Sequence, residues 1–221
     1  DGAATWKLAT QGLGAARVAV LLVDPRNPNI LYAGTDAHVM YKRSNAGTTW
    51  FTINASLRSL GISALGPGPS ANVLYAGTPT AGVFRTSNAG ASWMGGTDLQ
   101  IVNPFVQALA VHPTMPAIVY AGTAGAGMLK SLNHGNEWKS INTGLANQLV
   151  FRIAIDPVEP ETLYAGTEGG VFISRNGGQL WSPLLQGLTN RIVTALALDK
   201  RNHKVVYAGT EGGGVFRYVQ P

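Results

Sequence analysis

Four residues, Tyr-Ala-Gly-Thr, recur five times in this chain, starting at Tyr32, Tyr75, Tyr120, Tyr164 and Tyr207, with spacings of 43, 45, 44 and 43. The five tryptophans keep the same step, at Trp6, Trp50, Trp93, Trp138 and Trp181. No other feature constrains the fold as strongly. A fixed period means that one supersecondary unit is copied and that each copy buries its apolar face on its neighbour. Five copies fill residues 1–221, which read as one domain without a linker.

Each unit reads as four short strands. The first is apolar and ends at a turn, as in "VAVLLVDP", "LAVHP" and "RIAIDP". Asp24, Asp156 and Asp199 stand at that turn, where a carboxylate accepts bonds from nearby backbone amides. The second strand carries YAGT, the third reads "GVFR" or "GMLK", and the fourth starts at the tryptophan. Short strands with turn signals about every ten residues predict an all-β fold. A period near 44 with four strands per unit selects a five-bladed β-propeller of four-stranded antiparallel blades. The opening "DGAATW" matches the turn-plus-Trp part of the unit, and the last unit stops after its third strand. The N-terminal segment is therefore expected to complete the last blade and close a monomeric ring. The chain begins inside a repeat turn, as would a mature chain, a piece of a longer array or an engineered ring.

Composition removes several function classes. There is no cysteine, so neither disulfides nor thiolate metal sites are expected. No apolar run reaches the roughly 18 residues of a spanning helix. The net charge is +5, yet "KRNHK" at 200–204 is the only basic cluster, against the stripe expected of a nucleic-acid binder. Four histidines, His38, His112, His134 and His203, sit in different units as surface turn residues with no metal-ligand spacing. No cofactor and no metal are expected.

The pattern YAGT-x-x-GVFR-x-S-x-x-G-x-x-W resembles the Asp-box, or bacterial neuraminidase, repeat of β-propellers. The resemblance covers the whole chain and extends to repeats of xyloglucan-cleaving glycosidases, sortilin-type receptors and a photosystem II assembly factor. It implies the propeller fold, held by a turn of the type Ser-x-Asp-x-Gly-x-Thr-Trp. Here Asn45, Asn88, Asn133 and Asn176 replace the acid, and only Asp1 keeps it. Asparagine still accepts backbone hydrogen bonds and tolerates left-handed geometry, so these are read as structural rim turns. Loss of four carboxylates argues against a calcium site in each blade. A sialidase-like relative would imply an arginine triad, and none is identifiable. The xyloglucanase relatives imply two aspartates between two large propellers, without an evident counterpart here.

Candidate binding residues lie on the face opposite these turns. Asp36, Glu168 and Glu211 follow YAGT directly. The loops from fourth to first strand vary most, and contribute Arg17, Arg58, Asn103, Phe105, Asn147 and Arg191; His38 lies in the neighbouring loop. Amide, guanidinium and aromatic groups on such loops suit a sugar or a protein. Glycosidases use paired carboxylates, but Glu168 and Glu211 are equivalent residues placed by the repeat. The sequence therefore predicts a non-enzymatic binding or scaffold propeller, secreted or periplasmic, docking a protein partner through this face. The alternatives are a lectin-like carbohydrate binder and a fragment of a glycoside hydrolase.

Overall fold

The computed structural model describes all residues except 1–4, 6, 15–16, 38, 45–48, 54–56, 58–59, 96–104 and 221. Its described residues form five antiparallel sheets in sequence order. The first holds β1 (Val18–Asp24), β2 (Asn27–Thr35), β3 (Met40–Arg43) and β4 (Phe51–Thr52). The second holds β5 (Ala64–Pro67), β6 (Leu74–Gly77), β7 (Val83–Thr86) and β8 (Met94–Gly95). The third comprises β9 (Val106–Val111), β10 (Val119–Thr123), β11 (Met128–Ser131) and β12 (Lys139–Ser140). The fourth comprises β13 (Val150–Ile155), β14 (Leu163–Thr167), β15 (Gly170–Ser174) and β16 (Ser182–Leu184). The fifth has three strands: β17 (Val193–Leu198), β18 (Val205–Thr210) and β19 (Gly214–Val219). No helix among the described residues is long and apolar enough to cross a membrane.

These sheets are blades of a β-propeller fold, and the YAGT residues divide the labour of holding them. Strand alternation sends Tyr and Gly to one side of the blade and Ala and Thr to the other. Tyr32, Tyr75, Tyr120 and Tyr164 are fully buried against the following blade. Burial pushes all four phenols above their ordinary pKa, so none is a ready nucleophile near neutrality. Ala76, Ala121 and Ala165 pack into the preceding interface, and Ala33 packs beside Tyr41, Trp50 and Leu13; all four are at 0% exposure. The threonine ties off the loop between the second and third strands. Thr35, Thr78, Thr123 and Thr167 donate their hydroxyls to Val39, Gly82, Gly127 and Gly170 carbonyls at 2.8–3.0 Å.

Glycine admits the neighbouring blade. Gly34 faces Ile62, just ahead of β5, and Gly77, Gly122 and Gly166 face Val106, Val150 and Val193 of the next inner strand. A Cβ on Gly122 would lie 2.7 Å from Val150 Cγ1, so any side chain there would push the blades apart. Inner strands pack in succession, β1 on β5, β5 on β9, β9 on β13 and β13 on β17. Among the described residues β17 shows no comparable packing on β1, and no fourth strand from the N-terminal segment joins the last sheet. The expected closing residues Asp1 and Trp6 lie outside the described residues.

At the rim, Asn88, Asn133 and Asn176 each organise a turn. Their Oδ1 atoms accept the backbone N–H of Ser92, Glu137 and Leu180 at 2.8–2.9 Å. The hydroxyls of Thr86, Ser131 and Ser174 donate to the same oxygens and accept the amides of Gly90, Gly135 and Gly178. Trp93 and Trp181 then reach back, donating Nε1–H to the Ile53 and Ile141 carbonyls at 2.8 Å. Trp50 does so to Ala9, whereas Trp138 bonds the Gly135 carbonyl of its own turn. Asn45 is outside the described residues.

The histidines depart from the expected surface role. His112 is 2% exposed and takes the place of the turn aspartate, its Nδ1 accepting the Met115 N–H at 3.0 Å. His203 crosses to the preceding blade, 2.8 Å from the buried Asp156 carboxylate. Both imidazoles are drawn inward because each offers the polar partner a buried turn needs.

Candidate functional site

On the loop face, Arg17 and Asp36 of the first blade and Phe105 of the third line one cleft, with second-blade residues between them. The cleft has a volume of about 380 Å³ and also takes in Ala19, Gly61, Ile62, Ser63, Pro79 and Thr80. Arg17 sits just ahead of β1 and Asp36 just after β2, so strand pairing brings them together: the Asp36 N–H donates to the Arg17 carbonyl at 3.2 Å. Their side chains form an ion pair, Nε to Oδ2, at 3.6 Å. Both are solvent-exposed, so the pair contributes little to stability and remains free to exchange partners with a ligand.

Phe105 enters from the third blade, held by the Ala124 N–H donating to its carbonyl at 2.9 Å. Its side chain is one of the exposed large apolar groups of the molecule, at 37%. Pro79 and Ile62 extend that apolar floor. The cleft thus combines an aromatic platform, an aliphatic floor and a polar pair at one rim. That combination suits a pyranose, which offers an apolar face and a ring of hydroxyls. An axial channel of about 370 Å³ between the inner strands is more polar, with Ser63, Gln107 and Arg152 on its wall.

The remaining candidates fall elsewhere. Glu168 and Glu211 are exposed, and their backbone N–H groups donate to Leu149 and Ile192 carbonyls at 3.2 and 2.9 Å, the same bond that Asp36 makes. Neither lines the cleft. Asn147 is half-buried and folds its Oδ1 onto the Leu149 N–H at 2.9 Å, which makes it a loop-shaping residue. Arg191 is exposed on the fifth blade. His38, Arg58 and Asn103 lie outside the described residues. Sequence reading overlooked Pro79, Thr80 and Ile62 as cleft residues. Pro79 carried a signal, since it holds the post-YAGT position that Asp36 holds one blade earlier.

No protein-family profile matches the chain, and no curated protein is significantly similar to it. Solved structures do match. An ancestral GH74 enzyme aligns at 22% identity and a TM-score of 0.71, covering 92% of this chain and 28% of its own. The GH74 xyloglucanase from Xanthomonas campestris aligns at 19% and 0.72, covering 96% of this chain and 36% of its own. The GH74 enzyme of Niastella koreensis aligns at 18% and 0.76, with the same coverage. The chain spans about a third of the length of these enzymes. The likeness establishes the β-propeller fold. It also corrects the sequence-based expectation of a non-enzymatic, protein-docking scaffold, because these three neighbours are all GH74 proteins, each described as an enzyme. The expectation went astray because acids were sought at equivalent repeat positions, whereas the cleft draws unlike residues from three different blades.

Proposed function

We propose that this chain is a glycan-handling lobe of a glycoside hydrolase, with a xyloglucan-type polysaccharide lying across the cleft of Arg17, Asp36 and Phe105. The observation that carries this reading is the convergence of those three side chains on one face of a propeller similar to GH74 enzymes. Phe105 stacks on the apolar face of a pyranose. Arg17 and Asp36 exchange part of their exposed ion pair for hydrogen bonds to sugar hydroxyls.

Among the described residues, Asp36 is the one acid lining the cleft. Glycoside hydrolysis uses two carboxylates, so Asp36 takes one of these places and the partner comes from outside the described residues. Asp98, in the sequence leading to Phe105, is the candidate within this chain. Asn147, Glu168, Arg191 and Glu211 provide flanking polar surface for the rest of a long chain. The Ser/Thr-x-Asn-x-Gly turns further support placing the protein among Asp-box propellers, with asparagine doing the work of the acid.

The test is electrophoresis of the purified protein through gels cast with xyloglucan, together with an assay for new reducing ends. Retardation that F105A weakens about tenfold, and hydrolysis that D36N or D98N abolishes, are expected. Unretarded migration with no reducing ends released refutes the reading.

A further inference from the structure

The inner-strand residue paired with the YAGT glycine is small or aliphatic in four blades: Val20, Ala64, Ala108 and Ala195. The fourth blade breaks the pattern with Arg152, opposite Gly166. Packing does not call for the change. Ala64 and Ala108 are buried at this place, whereas Arg152 is exposed. Its side chain lines the axial channel of about 370 Å³ that runs between the inner strands of the first four blades.

Among the described residues, Arg152 is the only charged group on the channel wall, and it belongs to none of the ion pairs. Its Nη1–H donates to the Phe151 carbonyl at 2.6 Å, which steadies the guanidinium while using only one of its several donors. A charge of one sign between low-dielectric walls concentrates counter-ions. Here those walls include Leu21, Leu65 and Leu109, and Leu21 is 61% exposed. Polar groups come from two other blades, the Gln107 amide and the Ser63 hydroxyl. Ser63 donates to the Gly77 and Val106 carbonyls, so its oxygen offers an acceptor. A lone guanidinium balances a monoanion, and its planar fork pairs a carboxylate through two parallel bonds. A phosphate dianion would keep an unbalanced charge. The leucines suit an apolar ring face, and the amide and hydroxyl suit ring hydroxyls.

We propose that the axial channel binds a uronate sugar, with its carboxylate on Arg152 and its hydroxyls on Gln107 and Ser63. The channel shares Ala19 and Ser63 with the cleft of Arg17, Asp36 and Phe105, so the two sites are contiguous. The channel site stands on its own residues. That the uronate is a unit of a glycan lying in the cleft rests on the reading given under the proposed function.

The test is a titration of the isotopically labelled protein with sodium glucuronate at constant ionic strength, read by amide chemical shifts, with glucose and sodium acetate as comparison ligands. Saturable shifts at Gln107, Arg152 and Ile153 are expected with glucuronate, and weaker binding of glucose and of acetate. R152Q keeps an amide but loses the charge, and should lower glucuronate affinity about tenfold. Its melting should not move, since Arg152 is exposed. Glucuronate binding no tighter than that of glucose or acetate overturns the proposal, as does equal glucuronate affinity in R152Q. Xyloglucan binding without glucuronate binding overturns the channel site alone, whereas glucuronate binding without xyloglucan binding overturns only the reading of the cleft.

Discussion

Replacing Gly122 by alanine tests how the blades are held together. Its new Cβ would lie 2.7 Å from Val150 Cγ1, 3.2 Å from Val150 Cβ and 3.3 Å from the Val150 carbonyl oxygen. Val150 is fully buried, and its backbone belongs to an inner strand, so neither can simply move aside. Overfilling a packed site costs about 1–3 kcal/mol. Alanine also restricts the unfolded chain, which returns about 0.4–1 kcal/mol. G209A carries that same entropic gain, and its Cβ would meet only Ala195 Cβ of its own blade, at 3.1 Å, so the difference between the two variants reports the added cost of clashing with the neighbouring blade. For a chain of this size, 1 kcal/mol moves Tm by about 2–4 °C. G122A should therefore melt roughly 2–12 °C below G209A in differential scanning calorimetry at dilute concentration. Equal melting temperatures would refute the idea that this glycine exists to admit Val150.

Other outcomes follow from the same structure. Asp156 is fully buried, and burial pushes its carboxyl up, but hydrogen bonds from His203 and from the Glu159 and Val158 amides hold it below the usual value. A lowered folded pKa gives stability that is present above the unfolded value near ~3.9 and lost as pH falls through the folded one. D156N should therefore lose stability at neutral pH and show a shallower acid limb below about pH 4 in fluorescence-monitored urea melts. N176A removes the acceptor of the Leu180 N–H and Ser174 hydroxyl, and should cost about 1–3 kcal/mol for two lost bonds, read from the urea midpoint. F105A deletes a half-exposed ring, so affinity for xyloglucan oligosaccharides should fall about tenfold by calorimetry, with Tm moving little.

Much of the fold was legible because the period writes the same physics five times. The recurring YAGT marks where blades meet, and in the first four blades its tyrosine is buried against the next blade. The asparagine turns were legible because Asn keeps the acceptor oxygen that the turn needs. His112 was not, since its Nδ1 substitutes for a carboxylate oxygen, an equivalence of lone pairs rather than of charge. The cleft was legible only in part. Arg17, Asp36 and Phe105 stood out as polar or aromatic residues on variable loops, but nothing in a linear repeat says which three of five blades meet at one groove. Pro79 and Ile62 look like ordinary loop and core residues until the third blade brings Phe105 beside them.

The most direct measurement of the central claim is a titration of the isotopically labelled protein with a xyloglucan oligosaccharide, followed by amide chemical shifts. A glycan in the cleft predicts saturable shifts centred on Arg17, Asp36, Ser63, Thr80 and Phe105, with the rim turns at Asn88, Asn133 and Asn176 unmoved. Shifts centred on the rim, or none at saturating oligosaccharide, would contradict it.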